Sequence, residues 1–184
     1  MALGLTRRGL LFSSLGSAAW AAVAAAQEHA HQAVTGADPA RLEFFNESEA
    51  ADIAAIAGQI LPSGDGPGAK EAGVIFFIDR ALTTFDASLQ DAYRKGLSET
   101  QDARRKMFPA STSIAALAED QQLELMRAIE KTDFFETVRT HTLLGFLGNP
   151  SYGGNRDKVG WKHIGFEMRM AWEPPFGYYD AEAK

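Results

Sequence analysis

Val74-Ile75-Phe76-Phe77-Ile78 is the stretch on which the fold class turns. Five consecutive apolar residues suit a buried strand as readily as a buried length of helix. Two features around the run decide for the helix. Leu82 and Phe85 carry on the spacing set by Ile75 and Ile78, and the chain holds no second strand-like run to pair with it. The segment from Lys70 to Phe85 is therefore predicted to be a helix, apolar nearly all round and so central to a helical domain.

The same period recurs on either side. Asn46 and Glu49 have the spacing of a capping box, and Ile53, Ile56, Ile60 and Leu61 form a stripe, so a helix is predicted from near Glu47 to Pro62. Ser63-Gly64-Asp65-Gly66-Pro67-Gly68 is a loop. Leu89, Tyr93 and Leu97 mark another helix, closing at Arg104-Arg105-Lys106. Leu117 to Lys131 carries Leu123, Leu125, Met126 and Ile129, with acids early and Lys131 late, as the helix dipole favours. Asp133 and Glu136 repeat the capping-box spacing ahead of Phe134, Val138, Leu143, Leu144, Phe146 and Leu147.

Beyond Gly148 the chain is turn-rich. A short helix is predicted from Gly160-Trp161 to about Met170. Trp172-Glu173-Pro174-Pro175-Phe176-Gly177-Tyr178-Tyr179 then cannot continue a helix. No repeat is present. The expected fold is all-α: one compact helical domain over residues 44–184, ending in a Pro- and aromatic-rich tail.

Two segments precede that domain. Thr6-Arg7-Arg8-Gly9-Leu10-Leu11 opens a short apolar run that closes on Ala24-Ala25-Ala26, which is the layout of a cleaved secretory signal over residues 1–26. The pair Arg7 and Arg8 makes it a twin-arginine signal, with Leu10 where Phe is usual and Phe12 where Lys is usual. A plain secretory signal with two basic residues is the alternative. The run is too rich in Ala, Gly and Ser for a retained anchor. Residues 27–43, rich in Ala, His and Gln at their start, read as a flexible lead-in. The expected location is the periplasm.

The net charge of -6 becomes more acidic once Arg7 and Arg8 are removed, and no basic block exists, so nucleic acid is not an expected partner. The chain has 0 cysteines, which excludes disulfides, thiolate metal sites, iron–sulfur clusters and covalent haem attachment on this polypeptide. Twin-arginine export carries folded cargo, commonly loaded with a cofactor. Either a non-thiolate cofactor binds here, or the signal serves a partner that folds first.

Composition leaves both open, and a family resemblance, carried by two stretches, implies the second. Pro62-Ser63-Gly64-Asp65-Gly66-Pro67-Gly68-Ala69, with Glu71-Ala72-Gly73-Val74 and Phe77-Ile78-Asp79, resembles the gluconate 2-dehydrogenase subunit 3 family. So does Asn149-Pro150-Ser151-Tyr152-Gly153-Gly154-Asn155 followed by Gly160-Trp161-Lys162 and Ile164-Gly165. The similarity spans about residues 44 to 166 and leaves out the tail. The resemblance implies a non-catalytic small subunit of an exported, membrane-associated sugar or sugar-acid dehydrogenase. It places FAD on a separate large flavoprotein subunit and haem c on a cytochrome subunit, with no cofactor on this chain. It also implies that this subunit lends its signal to the flavoprotein, and that membrane contact comes through partners.

Individual residues admit two readings each. Tyr152-Gly153-Gly154-Asn155 fits a ligand or partner loop, and equally a structural turn in which Asn155 bonds its own backbone and Tyr152 packs on Trp161. A stand-alone ligand-binding protein or enzyme using this loop is the competing function. Asp79, beside the most apolar run, is either a catalytic carboxylate or one side of an ion pair with Arg80 or Arg139. His29 and His31 offer amino-terminal Cu(II) or Ni(II) ligation if cleavage follows Ala26, but a cyclised Gln27 would block the amine, and no metal site is expected. His141 and His163 read as packing or surface residues. The expected partner contacts are Tyr152, Gly153, Gly154, Asn155 and Trp161, with Trp172, Phe176, Tyr178 and Tyr179 of the tail, whose aromatics supply contact area and whose prolines limit the ordering cost.

Overall fold

A computed structural model describes residues 41–169. Arg7, Arg8, His29, His31, Trp172, Phe176, Tyr178 and Tyr179 lie outside the described residues. Among the described residues six α-helices follow one another: α1 (Glu47–Ile60), α2 (Val74–Thr83), α3 (Gln90–Met107), α4 (Glu119–Ile129), α5 (Asp133–Leu147) and α6 (Val159–His163). Short 3-10 turns stand at Ala87–Leu89, Pro150–Tyr152 and Arg156–Lys158. Among the described residues there is no strand, as the sequence predicts.

The apolar run is the helix α2, packed between α1 and α5. Val74, Phe77, Ile78, Ala81 and Leu82 are buried, while Ile75 and Phe76 are half-buried. The helix begins at Val74 rather than Lys70. Gly73 precedes it with φ 64, and the amide of Val74 donates to Ala69 O at 3.0 Å, so residues 69–73 are spent on a tight turn. α5 is the hub, touching α1, α2, α3 and α6.

The predicted capping box of α1 forms in both directions. Glu49 N donates to Asn46 Oδ1 at 2.9 Å and Asn46 N to Glu49 Oε2 at 3.0 Å. The second box does not form. Thr132, one residue before Asp133, caps α5 through Phe135 N at 3.2 Å. Its hydroxyl also donates to Ile129 O at 2.8 Å, so this one side chain serves the end of α4 and the start of α5, which Asp133 cannot do. Glu136 instead pairs with Arg139 at 2.7 Å.

α6 stops at His163, short of the predicted end near Met170, because a complete stop signal follows. Gly165 takes φ 70, its amide donates to Lys162 O at 3.3 Å, and Phe166 N donates to Trp161 O at 2.8 Å. Phe166 also packs on Trp161, with ring centroids 5.1 Å apart. These are the two hydrogen bonds and the apolar contact of a Schellman motif.

Asp79 is buried, and neither expected arginine proves to be its partner. Its carboxylate accepts the backbone amides of Glu43 at 2.7 Å, Phe44 at 3.1 Å and Phe45 at 2.9 Å. Arg80 reaches Ser151 O at 3.0 Å and Arg139 is paired with Glu136. A carboxylate accepting three amides is already neutralised by oriented dipoles and needs no counter-ion. Asp79 thereby ties the chain entering α1 onto α2.

Candidate functional site

The two motif segments meet at the C-terminal end of α5. Asn155, between the last two 3-10 turns, is 0% exposed. Its Nδ2 donates to Gly148 O at 2.9 Å and its Oδ1 accepts Gly160 N at 2.9 Å. The turn reading expects this side chain to bond its own backbone; it bonds Gly148 and Gly160 instead. It clips together the two ends of a reversal that runs from the close of α5 to the start of α6. Asn155, Asp157 and Lys158 all take left-handed backbone, with φ of 45, 53 and 57. Asn tolerates that region better than most residues.

Close approach explains two of the motif's glycines. A Cβ on Gly154 would fall on the carbonyl oxygen of Gly145, and one on Gly160 on that of Phe146. Gly153 ends the turn Pro150–Tyr152 with φ 99. Trp161 is buried, and its indole Nε1–H donates to Leu147 O at 2.6 Å, capping one of the open carbonyls at the end of α5. The loop is also fixed to α2. Arg80 Nη1 donates to Ser151 O at 3.0 Å, Arg156 N donates to Ala72 O at 3.1 Å, and the Arg156 guanidinium lies 3.8 Å over the Phe76 ring.

The loop at residues 63–68 arrives at the same place. Glu71 accepts the Ser63 hydroxyl at 2.6 Å and Gly68 N at 2.8 Å, and these two bonds hold its carboxyl below the usual range. The His163 ring stands where a side chain on Gly66 would be, and the same ring packs 6.5 Å from Phe146. So both stretches that carry the family resemblance serve one junction between α2, α5 and α6.

That geometry sorts the expected contact residues. Gly153, Gly154, Asn155 and Trp161 are buried in the junction, and both polar groups of the Asn155 side chain are engaged. Tyr152 is half-buried, and it packs edge-on against Phe85 at 6.0 Å, while Trp161 packs on Phe166. The expected Tyr152–Trp161 pair is therefore replaced by two separate pairs. Among the described residues, no group of three or more His, Cys, Asp or Glu is placed to hold a metal ion, and no helix is long and apolar enough to cross a membrane.

One buried polar chain has no signature in the sequence. The Tyr93 hydroxyl lies 2.8 Å from His141 Nδ1, and His141 Nε2 lies 3.2 Å from Asp86 Oδ2. A single neutral tautomer satisfies every atom: Tyr93 O–H donates to Nδ1, and Nε2–H donates to the carboxylate. His141 is buried, as its packing reading expects, and so is Tyr93. Burial raises the Tyr93 pKa, with Asp86 adding to it. Burial also pushes the His141 pKa below its ordinary value, against the opposing pull of Asp86.

The sign of the pH effect follows. The folded pKa of His141 is below the unfolded one, so the unfolded chain takes up the proton first on acidification. The stability given by neutral His141 is present above the unfolded value, about 6.5, and is lost as pH falls through the folded value. Melting temperatures taken from pH 7.5 down to about 5.5 should therefore fall in the wild type. In His141→Gln that slope should flatten; an unchanged slope would assign the pH response to other groups.

The model of the family described as gluconate 2-dehydrogenase subunit 3 matches residues 47–167. No curated protein and no solved structure matches the chain. The matched span runs from the first turn of α1 through the junction to just beyond the Schellman stop, and covers well over half of the 184 residues. That match covers the helices and the clipped loop described above, and the chain belongs to the gluconate 2-dehydrogenase subunit 3 family, whose description makes it an accessory subunit associated with a larger dehydrogenase complex.

Proposed function

We propose that this chain is the non-catalytic small subunit of a periplasmic, membrane-associated, flavin-dependent sugar or sugar-acid dehydrogenase, and that it supports folding and twin-arginine export of the catalytic subunit. The family match over residues 47–167 carries this reading. The leader containing Arg7 and Arg8 and the lack of cysteine agree with it. In this reading FAD sits on the large flavoprotein subunit, haem c on a cytochrome subunit, and membrane contact is made by those partners. The aromatic tail with Trp172, Phe176 and Tyr178, and the half-buried Tyr152, join the contact with the flavoprotein.

Export provides the test. Arg7→Lys with Arg8→Lys keeps the charge but removes the guanidinium geometry that distinguishes a twin-arginine signal. Fractionation of cells carrying the double variant should find both this chain and the flavoprotein in the cytoplasm. Normal arrival of the variant in the periplasm would refute twin-arginine export. Arrival of the flavoprotein without this chain would refute the carrier role.

A further inference from the structure

We infer that the buried chain Tyr93–His141–Asp86 is a pH-sensitive switch, and that protonation of His141 resets Phe85 and, through it, Tyr152. The three groups come from three places: Tyr93 from α3, His141 from α5, and Asp86 from the connection between α2 and α3. With His141 neutral, both hydrogen bonds of the chain are made. The added proton goes to Nδ1 and turns that atom from acceptor to donor. It then faces the Tyr93 O–H, donor against donor. The hydroxyl must turn round to accept, and its own proton, on a buried residue, loses its acceptor.

The new charge reaches water most readily past Asp86. The His141 side chain is 4% exposed, whereas that of Asp86 is 33% exposed. Among the described residues Asp86 is the charged group that acts on the ring. On α2 the neighbour is Phe77, 6.2 Å away, while Asp79 is held by the amides of residues 43–45 and Arg80 reaches Ser151 O. On α3 it is the Tyr93 ring, stacked at 5.6 Å, and on α5 itself Glu136 and Arg139 pair with each other. A buried imidazolium is therefore drawn toward solvent on the Asp86 side, and Asp86 shifts with it. Phe85 is the preceding residue. It stands between the Phe77 ring at 6.1 Å and the Tyr152 ring at 6.0 Å. One line of ring contacts thus runs from His141 through Phe77 and Phe85 to Tyr152, in the turn where the second motif begins. The response is local rather than a uniform loss of stability. Because the fold holds the neutral ring, the switch is thrown only as pH falls below the ordinary histidine value of about 6.5.

The test follows the ring signals of His141, Phe85 and Tyr152 by NMR in the full chain between about pH 7.5 and about 5, with helix content recorded alongside. The Phe85 and Tyr152 signals should shift with the midpoint of His141 while helix content stays constant. In His141→Gln, whose amide can still accept from Tyr93 and donate to Asp86, these two shifts should vanish. Asp86→Asn keeps an acceptor for Nε2–H but removes the charge that favours the imidazolium, so the shared midpoint should move to lower pH. That variant decides alone if His141→Gln does not fold. Phe85 and Tyr152 signals that stay still in the wild type, or that move equally in His141→Gln, would overturn the switch. So would a midpoint unmoved in Asp86→Asn, or shifts that appear only as helix content collapses.

Discussion

Phe77→Ala should lower the free energy of unfolding by about 3–5 kcal/mol, the cost of emptying a buried phenylalanine site that cannot close up. Neighbouring side chains and the α5 backbone line the site. The Phe77 ring lies against Gly145 of α5, where a Cβ would stand 3.1 Å from its atoms, and it packs 6.1 Å from Phe85 and 6.2 Å from His141. Because α2 and α5 form the largest helix–helix contact, the loss should appear as a lower denaturant midpoint for the whole domain. Phe77→Leu, which keeps most of the volume, should cost much less. A midpoint unchanged in Phe77→Ala would mean that this side chain is not part of the core.

Asp79→Ala should cost about 3 kcal/mol, because three amides lose a charged acceptor and the buried one, on Phe45, gains no water in exchange. Asp79→Asn separates this from a catalytic role. Its carbonyl oxygen can keep the bonds to Phe44 and Phe45, but its amide would face the amide of Glu43, donor against donor. An intermediate loss in equilibrium unfolding is therefore expected. Loss of dehydrogenase activity in Asp79→Asn with full stability and full complex formation would contradict the structural role.

These two residues illustrate what the sequence discloses. Phe77 was legible because burial repeats with the helical period, and periodicity is local. The environment of Asp79 was half legible: a carboxylate next to Val74–Ile78 had to have partners, but residues 43–45 approach it from 34 to 36 positions away and offer only backbone, which leaves no mark in side-chain identity. The arginines were the visible candidates and were the wrong ones.

The motif around Tyr152 behaves in the same manner. Its turn-rich composition was plain, but the predicted helix ran on to about Met170, across Gly165, where the left-handed backbone of the stop ends it. What Asn155 bonds was not readable, since Gly148 and Gly160 contribute only main-chain atoms. The chain from Tyr93 through His141 to Asp86 joins residues 48 and 55 positions apart, and no spacing rule connects them. The exposed leucines of α5 were visible as hydrophobic residues, but only the direction of the helix face shows that they point outward.

The most direct measurement of the subunit assignment is purification of the tagged full chain from the envelope fraction of its own cells, with absorbance and mass followed through size exclusion. Co-elution with a larger flavin-bearing dehydrogenase subunit is expected, while the separated chain carries no flavin and oxidises no sugar or sugar acid. A chain that elutes alone, or that oxidises a sugar with an artificial electron acceptor after separation, would contradict it.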